Sequence, residues 1–331
     1  MRSNAAEYDL IAPASLSAAL AVLAKEPGAY TPIAGGTELM VALGAGRLHA
    51  KRLLSLSQLE ELRFIHVTEK TVTLGAGATF TDIRQNEVIE RDLPLLAQAA
   101  SWTGSIANQN RGTIGGNLVN ASPAADSPPA LLVYGAQLTL LSAGGRRTLA
   151  YSHFHTGYKK TALRPEELLY SITLPRDFSA YSQYIRKVGT RSAQAIAKVA
   201  LAGLARVAGR ALPDSDSPQG DTGIPTIREI RLAAASVREV PARLTATERV
   251  LTGRAITPER IAYARATLLA EVRPIDDIRS TAGYRATVAA NLLGEFLRAL
   301  LPGPKFAGSG SRAAPNLVQK PDVWISLAER M

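Results

Sequence analysis

Apolar positions along the chain fall into short runs whose spacing shifts between helical and extended, with glycine-rich turns between them. Leu16, Leu20 and Leu23 recur on one helical face behind Ser15, a good capping residue, and Pro27-Gly28 closes the run. That spacing predicts a helix over 15–24. Residues 30–33 read as a strand, 38–43 as a helix stopped by Gly44-Ala45-Gly46, and 52–56 as another strand. A hairpin over 64–67 and 71–74 follows, turning at Glu69-Lys70, and the glycine stretch 75–79 reads as a tight turn before a helix from about residue 81. Residues 93–100 predict a helix, 136–141 and 148–151 strands joined at Gly144-Gly145, and 227–235 a strand. Thr257-Pro258-Glu259 opens a helix with its cap at Thr257 and proline where a missing N–H costs nothing. Residues 284–300 form the last predicted helix, with Leu292, Leu293, Phe296 and Leu297 on its apolar side. Residues 209–226, rich in Pro, Gly, Asp and Ser, read as a long exposed hairpin loop, and the composition from 303 onward as a flexible tail.

Two of the turns share one chemistry. The first is Pro32-Ile33-Ala34-Gly35-Gly36-Thr37-Glu38-Leu39. The second is Arg111-Gly112-Thr113-Ile114-Gly115-Gly116-Asn117, continuing through Asn120, Ser122, Pro123 and Ala125 to Asp126. Each reads as a loop between an apolar strand and a helix. A glycine pair lets the backbone take positive φ and lets a ligand approach without meeting a Cβ, so successive N–H groups can converge on an anion. Thr113 adds a hydroxyl, and Asn117, Asn120, Ser122 and Asp126 add short polar side chains. One such loop serves a tight turn as readily as a ligand. Two of them can grip a diphosphate from both sides, whereas a mononucleotide needs only one. Glu38 either complements a helix dipole or, beside a diphosphate, points away from it or binds a polar part of the cofactor.

Composition narrows the chemistry. The 331 residues are enough for two domains with proper cores. Cysteine is absent, which excludes disulfides, thiolate nucleophiles and cysteine-ligated zinc or iron–sulfur centres in this chain. The formal charge of +10 is spread over scattered pairs such as Lys51-Arg52 and Lys159-Lys160, with few aromatics between them. This pattern suits a dinucleotide cofactor and acidic neighbours, and speaks against a polynucleotide. His153 and His155 have a metal-compatible spacing on a strand, but no third ligand is near in sequence, which argues against zinc. Arg2 is followed by Glu7 and Asp9, and no apolar run approaches the ~20 residues of a membrane span. The expectation is a cytoplasmic protein with no nucleic-acid partner and no membrane span, unless an exported partner carries it across.

Residues 34–38, 110–117 and 121–126, in that order, resemble the FAD-binding (medium) subunit of the molybdenum hydroxylases, the family of xanthine dehydrogenases, aldehyde oxidoreductases and molybdenum-type carbon monoxide dehydrogenase. The resemblance runs over nearly the whole length. It implies an α+β fold: a two-part FAD-binding domain of the vanillyl-alcohol-oxidase (PCMH) type over 1–178, divided near residue 56, a smaller C-terminal domain of antiparallel sheet plus helices over 179–302, and a tail over 303–331. A strand over 167–174, ended by Pro175, belongs to this pattern.

The resemblance also implies a function. The chain would hold FAD non-covalently and contain no catalytic residue and no metal. Substrate would be oxidised at a molybdenum–pterin centre in a large partner subunit. Electrons would pass through 2Fe–2S clusters in a small subunit to the flavin and on to NAD, a quinone or dioxygen, in a heterotrimer or its dimer. Residues 34–38 with Thr113, Gly115 and Gly116 would meet the diphosphate, with Pro32, Ile33, Leu39, Gly112, Asn117 and Ala125 around them. Ser122 and Asp126 would contact the ribityl or adenosine portion, and Leu169 and Lys187 would flank the ring system, where a cation tunes the potential. Thr103 falls at the register where relatives place an aromatic against the flavin, and the neighbouring Trp102 is more readily a core residue. Lys187, Arg191 and Lys198 match positions near the flavin or its channel. Ser192-Ala193-Gln194 stand where relatives that use NAD can place acidic residues, which leaves the acceptor open. The stretch 276–285 would form an intrachain salt-bridge cluster, and Trp324 would be free to dock on a partner.

Two other functions fit the same residues. A self-sufficient flavoenzyme, such as the reductase that makes UDP-N-acetylmuramate, needs its own proton donor, and the loops offer no convincing acid and no His or Cys for covalent flavin attachment. A flavin-free scaffold would have no need of both glycine loops.

Overall fold

A computed structural model describes residues 7–191, 194–208 and 224–302, and the backbone of Asn316–Val318. The loop over 209–226 falls largely outside the described residues, as do Ser192, Ala193, Trp324 and the rest of the tail.

The chain opens with a parallel sheet in which β1 (Asp9–Ile11) and β2 (Thr31–Ile33) flank β3 (Arg52–Ser55). Helix α1 (Leu16–Lys25) joins β1 to β2, capped by the Ser15 hydroxyl, which accepts from the Ala18 N–H. It buries Ala19, Leu20 and Leu23 against Tyr30, Leu54 and Leu59. Helix α2 (Leu39–Gly44) follows β2 and buries none of its residues.

A second, antiparallel sheet has the order β4-β5-β10-β6-β7, from β4 (Ile65–Val67), β5 (Thr71–Gly75), β6 (Gln137–Ser142), β7 (Gly145–Ala150) and β10 (Leu168–Pro175). Between β5 and β6 run α3 (Phe80–Arg84), α4 (Glu87–Asp92), α5 (Pro94–Trp102), α6 (Ile106–Gln109), α7 (Ile114–Val119) and α8 (Pro128–Val133). A short hairpin, β8 (His155–Gly157) with β9 (Lys160–Thr161), precedes β10. The second glycine motif is therefore not a loop between strand and helix. It follows α6, and Gly115 and Gly116 lie in the first turn of α7, capped by Thr113.

The third sheet has the order β14-β13-β12-β11-β15: β11 (Ser182–Val188), β12 (Val199–Ala208), β13 (Thr226–Ala235), β14 (Ala242–Arg243) and the edge strand β15 (Asn316–Val318), parallel to β11. Strand alternation divides its residues between two faces. Tyr184, Val199, Leu201, Leu232 and Ala234 pack on the C-terminal helices α9 (Thr245–Leu251), α10 (Pro258–Glu271) and α11 (Ala282–Ala299). Tyr184 stacks on Phe296 with centroids 5.1 Å apart, and Gly203 leaves room for that ring, since a Cβ there would lie 2.5 Å from its Cε1. The opposite face presents Ile185, Ala202, Leu204 and Ala233 to the core around α5 and α8. There the buried Tyr134 hydroxyl donates to Gln183 Oε1 (2.6 Å) and accepts from the Leu95 N–H (3.1 Å). Among the described residues no helix is long and apolar enough to cross a membrane.

Candidate functional site

The site is built where all three sheets end. Loop 1 (residues 32–39) leaves β2, and its N–H groups from Ala34 through Glu38 donate to no protein acceptor among the described residues. Gly36 takes φ +73, the left-handed conformation that glycine adopts without strain. A row of unpaired backbone donors at the surface is the arrangement that binds an anion.

Loop 2 (residues 111–126) is more fully committed to its own fold. The Ile114 and Gly115 N–H groups donate to Ala78 O and Ala76 O (both 2.9 Å), the Gly116 N–H to Thr113 Oγ1 (3.1 Å) and the Asn117 N–H to Thr113 O (3.0 Å). The expectation that the Gly115-Gly116 pair takes positive φ and forms the nest is corrected, because both are helical and their donors are used. Gly115 is required by packing instead: a Cβ there would lie 2.6 Å from the Ala76 Cβ and 2.7 Å from its carbonyl oxygen. The stretch 75–79, expected as a plain turn, is thus the shelf on which loop 2 rests. Gly75 itself fits only without a side chain, because a Cβ would lie 2.2 Å from Leu62 O.

The two loops touch directly. A Cβ on Gly35 would lie 1.8 Å from Arg111 O and 3.0 Å from the Gly112 Cα. They form the floor of an open cleft of about 2490 Å³ whose walls come from all three sheets. Pro32, Ile33, Ala34, Gly35, Gly36, Thr37, Glu38 and Leu39 line it, as do Gly112, Thr113, Gly115, Gly116 and Asn117. So do Thr103, Ser122, Ala125, Asp126 and Leu169. Thr103 ends α5, its hydroxyl donating to Ala99 O (3.0 Å). Leu169 stands at a register shift between β10 and β6.

Lys187, Arg191 and Lys198, expected near the flavin or its channel, do not line the cleft. Lys187 is the one expected to flank the ring system. It lies behind the wall, buried, on the β11 face turned toward α5. Its Nζ donates to Asp126 Oδ2 (2.8 Å) and Trp102 O (3.2 Å). The other oxygen of Asp126, Oδ1, is buried without a partner. Burial pushes the Asp126 carboxyl up to about 6, with Lys187 opposing the shift. Trp102 packs against the core.

The third sheet also supplies a wall, through residues such as Ser236 that sequence reasoning did not place at the site. Ser236, with φ +64, donates its N–H to Pro123 O (2.8 Å) and its hydroxyl to Ala197 O (3.0 Å). The buried Arg285 donates to Lys198 O (2.8 Å), Ser236 O (3.3 Å) and Asp277 Oδ1 (2.7 Å), and Asp277 also pairs with Arg279 (3.2 Å). The expected ion-pair cluster is therefore present, and it braces this wall. Its contacts hold the Asp277 carboxyl below the usual range against the effect of burial. Lys198 lies over the Tyr284 ring (5.1 Å), and Arg191 donates to Gln194 O (2.7 Å). His155 Nε2 is 2.7 Å from Leu118 O and burial lowers its pKa, so its local partners are a carbonyl and the Tyr151 ring. Among the described non-glycine residues, positive φ occurs at Ala121, Lys159, Gln194 and Ser236, all on the cleft wall or one residue from it. Local strain gathers here, as it does at functional sites.

A cleft with a row of free backbone donors, a floor of small residues and a buried acid in its wall has the chemistry to suit a dinucleotide cofactor. Comparison with known proteins agrees. Residues 6–177 match the FAD binding domain in molybdopterin dehydrogenase, and residues 184–300 match the CO dehydrogenase flavoprotein C-terminal domain. The chain belongs to this family of FAD-binding medium subunits of molybdenum-dependent dehydrogenases. It is 27% identical over 296 residues to the carbon monoxide dehydrogenase medium chain of Hydrogenophaga pseudoflava, covering 88% of this chain and 96% of that protein. It is 28% identical to the glyceraldehyde dehydrogenase medium chain of Sulfolobus acidocaldarius, covering 85% and 94%. The solved structure of carbon monoxide dehydrogenase from Hydrogenophaga pseudoflava superposes with a TM-score of 0.78 at 26% identity, over 87% of this chain and 95% of that one. These relatives are subunits of oxidoreductases, and FAD is the cofactor of the matching domain.

Proposed function

We propose that this chain is the electron-transfer flavoprotein of a molybdenum hydroxylase. It would accept electrons from iron–sulfur clusters in a small partner subunit, while a large molybdenum–pterin subunit oxidises the substrate, and deliver them to an external acceptor. The observation that carries the reading is the convergence of both glycine loops on one cleft, with the unpaired N–H row of residues 34–38 as the diphosphate seat. The names of relatives support the partners: the carbon monoxide dehydrogenase structure is described as lacking part of its molybdenum cofactor, and several relatives are medium chains of larger enzymes. The division at 178 and 302 fits the placement of the three sheets and is part of the same proposal.

The residues present suit FAD. Loop 1 would hold the diphosphate by its N–H groups, with Thr113 and Gly112 on the facing side. Asp126 Oδ1, buried without a donor, would accept from a hydroxyl of the ribityl or ribose portion. Leu169 would lie against the ring system as an apolar surface. Lys187 would act through Asp126, fixing the carboxylate rather than touching the flavin. FAD supplies the capacity to take up an electron pair and release it to an acceptor. The chain's own task is to seat the cofactor, exclude water from one side and leave the other open.

The test is the absorption spectrum of the purified assembly, with the released cofactor identified by mass, beside a Gly36→Val variant. Flavin in the parent and its loss in the variant, whose β-branched residue cannot take φ +73 without strain and so would distort loop 1, supports the reading. A parent that holds no flavin even after incubation with FAD leaves the scaffold reading in its place.

A further inference from the structure

The β8–β9 hairpin brings a cation, Lys159, into the lining of the cleft. Its turn residue Lys159 has φ +56, a conformation that glycine or asparagine adopts more cheaply. The backbone beside it is pinned to the third sheet's wall: the Tyr158 N–H donates to Glu239 Oε1 (2.8 Å), and a Cβ on Gly157 would lie 3.4 Å from the same oxygen. From that anchor the Lys159 Nζ donates to Asn120 Oδ1 (2.8 Å), just past α7, and stands 3.6 Å from Glu38 Oε1 of loop 1. Lys159 thus reaches both glycine loops while its own backbone is held by a third element.

The Glu38 contact is weak. The Glu38 side chain is 65% exposed and that of Lys159 37%, and pairs of this kind contribute little to stability. Glu38 also carries its charge next to the loop 1 donors, the place where an anion is wanted. A diphosphate brings more charge and more acceptor oxygens than one carboxylate, and hydrogen bonds between ionised partners are the strong ones.

Resting on the flavin reading above, we infer that Lys159 is a diphosphate ligand: its ammonium, within reach of both Asn120 and Glu38, meets the FAD diphosphate seated on loop 1 in preference to the Glu38 carboxylate. No bond is made or broken.

The experiment measures FAD dissociation constants on the full chain, stripped of cofactor, by flavin fluorescence at low and high salt. Lys159→Met should weaken FAD by about tenfold or more at low salt, the scale of one hydrogen bond between charged groups, and the deficit should shrink as salt rises. Lys159→Arg, which keeps the charge, should stay within a few-fold of the parent. Equal FAD affinity in parent and Lys159→Met overturns the inference. So does a loss that is the same at every salt concentration and shared by Lys159→Arg, which would make the side chain a spacer between the loops. If Lys159→Met does not fold, Lys159→Gln takes its place under the same criteria. A parent chain that takes up no FAD refutes the flavin reading itself, an outcome distinct from a parent that binds FAD while the lysine variants match it.

Discussion

Gly35 lies against Arg111 so closely that a Cβ on the glycine would stand 1.8 Å from the arginine carbonyl oxygen. The cleft floor therefore consists of two backbones in contact, and neither loop can take a side chain there without moving the other. Gly35→Ala should cost about 2 kcal/mol or more in urea unfolding and remove FAD binding together with it. A stable Gly35→Ala protein that keeps its flavin would show that the loops separate freely.

The two glycines at the start of α7 differ in what surrounds them. A Cβ at Gly115 meets Ala76 backbone and side chain, whereas one at Gly116 meets only Thr113 Oγ1 at 3.0 Å. Gly115→Ala should lower stability by about 1–3 kcal/mol, as overpacking does, and Gly116→Ala by less than about 1 kcal/mol. Thermal melts of the cofactor-free chains decide the order, and equal losses would contradict the shelf described at residues 75–79.

Asp126 gives a pH dependence whose sign follows from its burial. Its carboxyl titrates near 6 in the fold against 3.8 unperturbed, so between those values the folded chain holds a proton that the unfolded chain has released. Its contribution to stability is fully present below pH 3.8 and is lost as pH rises through about 6. Relative to Asp126→Asn, the cofactor-free parent should lose up to about 3 kcal/mol across that window, measured by urea unfolding at several pH values. Parallel profiles for the two proteins would place the carboxyl in the ordinary range.

Tyr134, at the end of α8, joins α5 to the third sheet through one hydroxyl that is both donor and acceptor. Tyr134→Phe leaves Gln183 Oε1 and the Leu95 N–H without this partner in a buried setting. The expected cost is about 1–3 kcal/mol with flavin content unchanged. A loss of flavin at undiminished stability would mean that the contact serves the cleft instead of the seam.

Much of this site was legible in the sequence because its parts are local. Loop 1 sits between a short strand and a short helix as its residues dictate, and the Ser15 and Thr257 caps fall where a hydroxyl precedes an apolar face. The helices α6, α7 and α8 escaped because each is four to six residues long, below the length at which a 3.6-residue period shows. They are held by the caps Ser105 and Thr113 and by Pro128 at a first turn, together with tertiary packing. The shelf at 75–79 was hidden for another reason: the carbonyl that demands Gly75 belongs to Leu62, a contact between separate strands and turns. The same holds for Lys187 and Asp126, 61 residues apart, whose pairing holds a residue expected beside the ring behind the wall instead.

The third sheet has no outer surface in the ordinary sense, since one face completes the core around Tyr134 while the other seats Phe296. Grafting residues 184–300 from a relative onto this chain would therefore transplant half of a shared interior along with a domain. Such a hybrid should fold only when Ile185, Ala202, Leu204 and Ala233 are matched to the recipient. Exchange of C-terminal parts between members of this family is constrained at that hidden seam before any partner or acceptor is met.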